Sequence, residues 1–134
     1  MWKLIRIAIC EDEPILLDHL ANMVKMILKQ HSILHTVEPF TNGGALLARD
    51  AFDLLLLDIA MEPLSGLELA RKLRRRGDES KLIFITAHRQ YAIEAYDVQA
   101  SHYLVKPLDA GKLETVLLRL CSSLQKERKS AIAI

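Results

Sequence analysis

The sequence predicts an α/β domain in which a doubly wound, five-stranded parallel sheet carries five helices. Three observations predict it. Short apolar runs alternate with stretches of helical periodicity, and right-handed crossovers then place helices on both faces of one sheet. Residues Phe52 to Asp58 hold four consecutive leucines between aspartates, the pattern of a strand covered on both faces. Pro39 removes a ladder donor from the second run and so assigns it to a sheet edge.

The elements follow in order. Leu4 to Cys10 is apolar apart from Arg6 and reads as a strand. Leu16, Leu20, Met23 and Ile27 then recur at helical spacing. Thr36 to Phe40 is the edge strand, and a short helix is expected from Gly44 to Asp50. After the leucine-rich third strand come a helix over Gly66 to Arg76, a buried strand over Leu82 to Thr86 and a weakly apolar helix over Gln90 to Asp97. Tyr103 to Val105 is the last strand. From Asp109, the positions Leu113, Val116, Leu117, Leu120 and Leu124 give a final amphipathic helix. With the second strand at an edge and the first, third and fourth most continuously apolar, the expected strand order is 2-1-3-4-5. Beyond Ser122 the chain loses its periodicity and turns basic. Residues 1–125 therefore read as one domain, and residues 126–134 as a helix end or the start of a linker to an output domain not contained here.

Composition narrows the function classes. A chain of 134 residues, 51% hydrophobic and 26% charged, can bury one core without disulfides or structural metal. A net charge of +1 provides no field for nucleic acid or anionic lipid, so no nucleic acid is expected to bind through this domain alone. Cys10 and Cys121 have neither zinc-ligand nor redox-pair spacing. Lys3, Arg6 and the acids at 11 to 13 break any signal-peptide pattern, and no apolar run reaches membrane-spanning length. A cytoplasmic protein without membrane contact is expected. The histidines His19, His31, His35, His88 and His102 lack ligand spacing and are expected on the surface or in loops.

The polar residues at the strand ends carry the chemistry. Glu11 and Asp12 follow the first strand, Asp58 ends the third, Thr86 the fourth and Lys106 the fifth. In a parallel sheet these carboxyl ends open onto one crevice, where such folds bind ligands. Individually each has a plain structural explanation: acids before Pro14 cap a helix, an aspartate ends a strand, a threonine suits a strand and a lysine is solvated. Collected at one rim, three carboxylates and an ammonium repel and desolvate one another unless a cation or phosphate uses them. Mg2+ prefers a few carboxylates and keeps several waters, so Glu11, Asp12, Asp58 and the Ala60 backbone oxygen would suffice. Lys106, the Thr86 hydroxyl and loop amides, that of Ala87 among them, could neutralise phosphoryl oxygens, leaving Asp58 as the nucleophile.

At these residues the chain resembles the receiver domains of bacterial two-component response regulators. The matching segments are ICEDE at 9 to 13, LLLLDIAMEPLSGLELA at 54 to 70, FITA at 84 to 87 and YLVKP at 103 to 107. The resemblance implies a flavodoxin-like receiver fold and an Asp58 phosphorylated by a sensor histidine kinase with Mg2+. It also implies a cis peptide between Lys106 and Pro107, a coupled switch of Thr86 and Tyr103, and a homodimer on phosphorylation. Self-phosphorylation and self-dephosphorylation are then the only chemistry; the chain is a switch and not an enzyme acting on other substrates. The segment RQYAIEAYDVQASHYLVKP is similar to receivers that precede LytTR-type DNA-binding domains, which implies transcription regulation in a full-length protein. One departure concerns the loop after the acceptor: the family's usual proline position holds Glu62, and the proline is Pro63. Two rivals fit less well. A haloacid-dehalogenase-type phosphatase needs a second aspartate where this chain has Ala60, and a flavodoxin-like cofactor module needs a phosphate cradle where this chain has three acids.

Overall fold

In the computed structural model, residues 4–132 are described, with side chains through Glu127. The order is β1 (Ile5–Cys10), α1 (Pro14–Gln30), β2 (His35–Phe40), α2 (Gly43–Leu47), β3 (Leu54–Leu57), α3 (Gly66–Arg75), β4 (Lys81–Thr86), α4 (Ala92–Asp97), β5 (His102–Val105) and α5 (Ala110–Ile132). The strands form one parallel sheet ordered β2-β1-β3-β4-β5. Among the described residues no helix is long and apolar enough to cross a membrane.

Alternation explains why the central strands are apolar throughout. Ile5, Ile7 and Ile9, Leu54 and Leu56, and Ile83 and Ile85 face a core completed by α1 and α5. Ala8 and Cys10, Leu55 and Leu57, and Leu82 and Phe84 face a second core completed by α2, α3 and α4. The central strands are buried on both faces along most of their length, with Arg6, Lys81 and Thr86 near strand ends the polar exceptions. The edge strand β2 pairs only with β1, with Pro39 opposite Ile9, and is correspondingly half-exposed.

Several boundaries differ from expectation for local reasons. The second helix begins at Gly43 because Asn42 caps it, its side-chain oxygen accepting the Ala45 N–H at 2.9 Å. It ends at Leu47 rather than Asp50, since the chain must turn toward β3. Phe52 lies outside the ladder and packs instead edge-on to Phe40 and under the Arg6 guanidinium. The last helix continues past residue 125 to Ile132, in keeping with the helix-end reading of residues 126–134, of which 133–134 lie outside the described residues. His35 and His102 lie in strands instead of loops.

Candidate functional site

The backbone ladder continues one step beyond the strands and aligns the polar residues. The Asp58 N–H donates to the Cys10 carbonyl at 3.0 Å, the Glu11 N–H to the Phe40 carbonyl at 3.1 Å and the Lys106 N–H to the Thr86 carbonyl at 2.8 Å. Residues distant in sequence thereby become neighbours at the carboxyl edge. Lys106 Nζ lies 2.6 Å from Glu11 Oε1 and 3.0 Å from Asp58 Oδ2. Both carboxylates are nearly buried, Glu11 at 3% exposure and Asp58 at 8%. Asp58 Oδ1 also accepts the Ala60 N–H at 3.2 Å.

Charge in this cluster is unbalanced. Burial pushes the Glu11 carboxyl above its ordinary pKa and the Asp58 charge adds to the rise, against the lowering effect of its bond to Lys106. For Lys106 burial acts downward, yet its hydrogen bonds to Glu11 and Asp58 outweigh that and leave it raised. The two directions agree physically: one ammonium serves two carboxylates and is held charged by both, while Glu11, mainly through burial, stays above its ordinary value despite that ammonium. Burial, reinforced by Glu11, Asp12 and Asp58, likewise pushes the neighbouring Cys10 thiol up to about 12.

This imbalance is the chemistry that suits a hard divalent cation. Glu11 and Asp58 supply two anionic oxygen donors around one point, and the half-buried Asp12 follows Glu11 directly. Among the described residues, however, no three acidic, histidine or cysteine side chains converge as a complete metal cage. The donor types fit Mg2+, with Lys106 holding the two carboxylates together.

The loop after Asp58 is set by a close approach. A Cβ on Gly66 would stand 2.0 Å from the Asp58 carbonyl oxygen, so only glycine fits there. Ser65 caps α3 beside it, accepting the Glu68 N–H at 3.2 Å. The Glu62–Pro63 peptide in this loop is cis, a feature the sequence did not foretell, and Lys106–Pro107 is also cis.

Thr86 is fully buried at the end of β4, and its hydroxyl oxygen accepts the His88 N–H at 3.3 Å. The Tyr103 hydroxyl donates to the His88 carbonyl. One residue's backbone therefore joins Thr86 to Tyr103. The phenol is half-buried beside Phe84, and burial raises its pKa. The His88 ring packs edge-on against Tyr91, 6.0 Å between centroids, and Ala87 is exposed between Thr86 and His88. Sequence reasoning missed this backbone link, because a main-chain acceptor leaves no residue-type signal.

The acids before α1 are arranged differently from expectation. Glu13 occupies the N-cap position but makes no side-chain cap. Glu11 Oε2 instead accepts the Glu13 N–H at 3.3 Å, so the same carboxylate anchors the helix entrance and meets Lys106.

Known proteins share this fold. A family profile for the response regulator receiver domain matches residues 7–118. The positive alginate biosynthesis regulatory protein of Pseudomonas aeruginosa is 38% identical over 115 residues, covering 83% of this chain and 45% of that protein. The transcriptional regulatory protein LytR of Staphylococcus aureus (strain MW2) is 29% identical over 126 residues, covering 94% of this chain and 51% of LytR. The chain thus spans about half the length of these curated relatives. Among solved structures, the response regulatory domain of mrkE from Klebsiella pneumoniae superposes with TM-score 0.81 at 23% identity, covering 91% of this chain and 99% of that one. TrrA of Thermotoga maritima, in complex with Mg(2+)-BeF, superposes with TM-score 0.69 at 27% identity, covering 87% and 98%.

Proposed function

This chain belongs to the response-regulator receiver family, and from that premise we propose that it is a phosphorylation switch in which Asp58 accepts a phosphoryl group from a sensor histidine kinase in a Mg2+-dependent reaction. The observation that carries this reading is the meeting of Glu11, Asp58 and Lys106 beside Thr86 at the carboxyl edge of the sheet.

An Asp58 carboxylate oxygen forms the new P–O bond as the donor's P–N bond breaks, and the imidazole leaves with the electron pair. Glu11, Asp12, Asp58 and the Ala60 carbonyl are the groups that would hold Mg2+, which when bound offsets negative charge on the transferring phosphoryl oxygens. The relative TrrA is described in complex with Mg(2+)-BeF, which supports the same ion here. Lys106 is placed to exchange one of its carboxylate partners for a phosphoryl oxygen. The Thr86 hydroxyl and the Ala87 amide supply further donors.

Phosphorylation biases an existing equilibrium of Thr86 and Tyr103, and the altered surface is that of α4, β5 and α5. Ile93 and Tyr96 on α4 are 77% and 81% exposed, an apolar pair suited to a homodimer contact in the active form. The relatives are named as regulators and are about twice this length, so the output is transcription regulation through a LytTR-type DNA-binding domain. In that arrangement residues 1–125 form the receiver and residues 126–134 are a helix end or the start of a linker to an output domain, in the cytoplasm.

The test is incubation with a small phosphodonor and Mg2+ followed by intact-mass analysis. Wild type gains one phosphoryl group, and Asp58→Asn gains none. Equal labelling of both removes Asp58 as acceptor, and no labelling of folded wild type favours a receiver retained only for protein interaction.

A further inference from the structure

The inward face of α4 carries a charge where packing calls for an apolar side chain. Tyr91, Glu94, Ala95 and Val98 recur at the spacing of one helical stripe. Ala95 and Val98 are buried in the second core, Tyr91 packs against it, and Ala92, Ile93, Tyr96 and Asp97 face outward. Glu94 is half-buried within that stripe. Its Oε2 atom is shielded from solvent and has no hydrogen-bond partner among the described residues. Buried polar atoms are nearly always paired, so an acceptor left open inside a packed face calls for a donor that arrives in another conformation.

A candidate donor packs against the same core. Tyr103 lies on the neighbouring strand with its side chain in the same core, and the Glu94 charge is among those acting on its phenol. The phenol is engaged by the His88 carbonyl. If it leaves that carbonyl while still half-buried, it requires a new acceptor. We propose that Glu94 is a positioning residue for the switch, its buried carboxylate oxygen accepting the Tyr103 hydroxyl when that hydroxyl leaves the His88 carbonyl. This rests on the reading of Tyr103 as a switch residue. It adds a second defined position for the phenol and makes α4 a participant in the exchange rather than a passive cover.

The experiment uses the full chain with isotope- or fluorine-labelled tyrosine. Tyr91, Tyr96 and Tyr103 are distinguished by the loss of one signal in Tyr103→Phe. Glu94→Gln retains an acceptor oxygen, whereas Glu94→Leu removes it at similar volume. Wild type and Glu94→Gln show Tyr103 exchanging between two environments, and Glu94→Leu loses the second. Retention of both environments in Glu94→Leu overturns the inference, as does a single environment in wild type both with and without phosphodonor and Mg2+. Intact mass on the same samples reports phosphorylation separately. Exchange that depends on Glu94 without any labelling of Asp58 supports this inference while defeating the acceptor reading.

Discussion

The two faces of the sheet are built by different means. One is covered by two long helices, α1 of 17 residues and α5 of 23, whose apolar stripes interlock with Ile5, Leu54 and Ile83. The other is covered by helices of 5, 10 and 6 residues, too short to persist by themselves. That second face is pinned by side chains bonded to backbone. Arg74 reaches the carbonyls of Val98, Asp78, Ser80 and Gln99 at 2.8 to 3.2 Å, and Arg76 reaches that of Leu47 at 2.8 Å. Apolar interlocking resists movement in every direction, whereas a set of directional bonds fixes one arrangement and can be exchanged for another. The long-helix face is thus closed by apolar packing of long helices, whereas the short-helix face, which carries α4 and the His88 link, joins an apolar core to a set of directional bonds.

Four changes probe this contrast. The largest effect is expected from Leu28→Ala on the long-helix face. Leu28 is fully buried, and the cavity should cost about 2–5 kcal/mol, measured as a lower urea midpoint for the whole domain. Local loosening without a shift in the midpoint would contradict the role given to that face. Next is Gly66→Ala, where the new methyl collides with the Asp58 carbonyl. Overpacking there should cost about 1–3 kcal/mol and slow phosphorylation of Asp58 beyond what the stability loss explains. Labelling at the wild-type rate would show that the loop after Asp58 yields freely.

Arg74→Met keeps the length of the side chain but abandons its carbonyl partners. A loss of about 1–2 kcal/mol is expected, with faster hydrogen exchange around residues 96–101 and unchanged protection in α1 and α5. Equal acceleration on both faces would erase the distinction. The smallest effect is a pH dependence at Glu11. Its folded-state pKa lies above the ordinary carboxylate value because of burial, so the native state holds that proton more tightly than the unfolded chain does. Stability from this group is therefore fully present below the ordinary value of about 4.3 and is lost as pH rises through the raised one. Glu11→Gln should remove that decline, so the variant gains on wild type as neutrality is approached. Parallel stability curves would show that Lys106 compensates Glu11 completely.

Much of this was legible in the residues. The sheet core announced itself because strands buried on both faces cannot alternate, and Pro39 marked the edge. The convergence of Glu11, Asp58, Thr86 and Lys106 followed from their places at strand ends, since a parallel sheet puts those ends together. What stayed hidden depends on backbone atoms and on burial of single atoms. The start of α4 was expected at Gln90 but lies at Ala92, because no side-chain cap marks it. The Tyr103 bond to a main-chain carbonyl has no residue signature. The Arg74 clamp resembles any charge on a basic helix until its partners are seen. Glu94 did leave a signal, a carboxylate in the stripe with Tyr91, Ala95 and Val98, but one acid in so short a helix is easily assigned to solvent.

The two cysteines happen to be divided between the faces. Cys121 belongs to the core under α1 and α5, Cys10 to the core under α2, α3 and α4, and both are free and buried. Burial raises the first to about 11 and the second to about 12. Near neutral pH fewer than about one thiol in a thousand is then ionised, so neither reacts with an alkylating reagent while the chain stays closed. Each sulfur is thus a timer for its own side of the sheet. Pulse alkylation followed by mass spectrometry of the two peptides would record how often each half opens, and unequal clocks would show one wall of the domain breathing independently of the other.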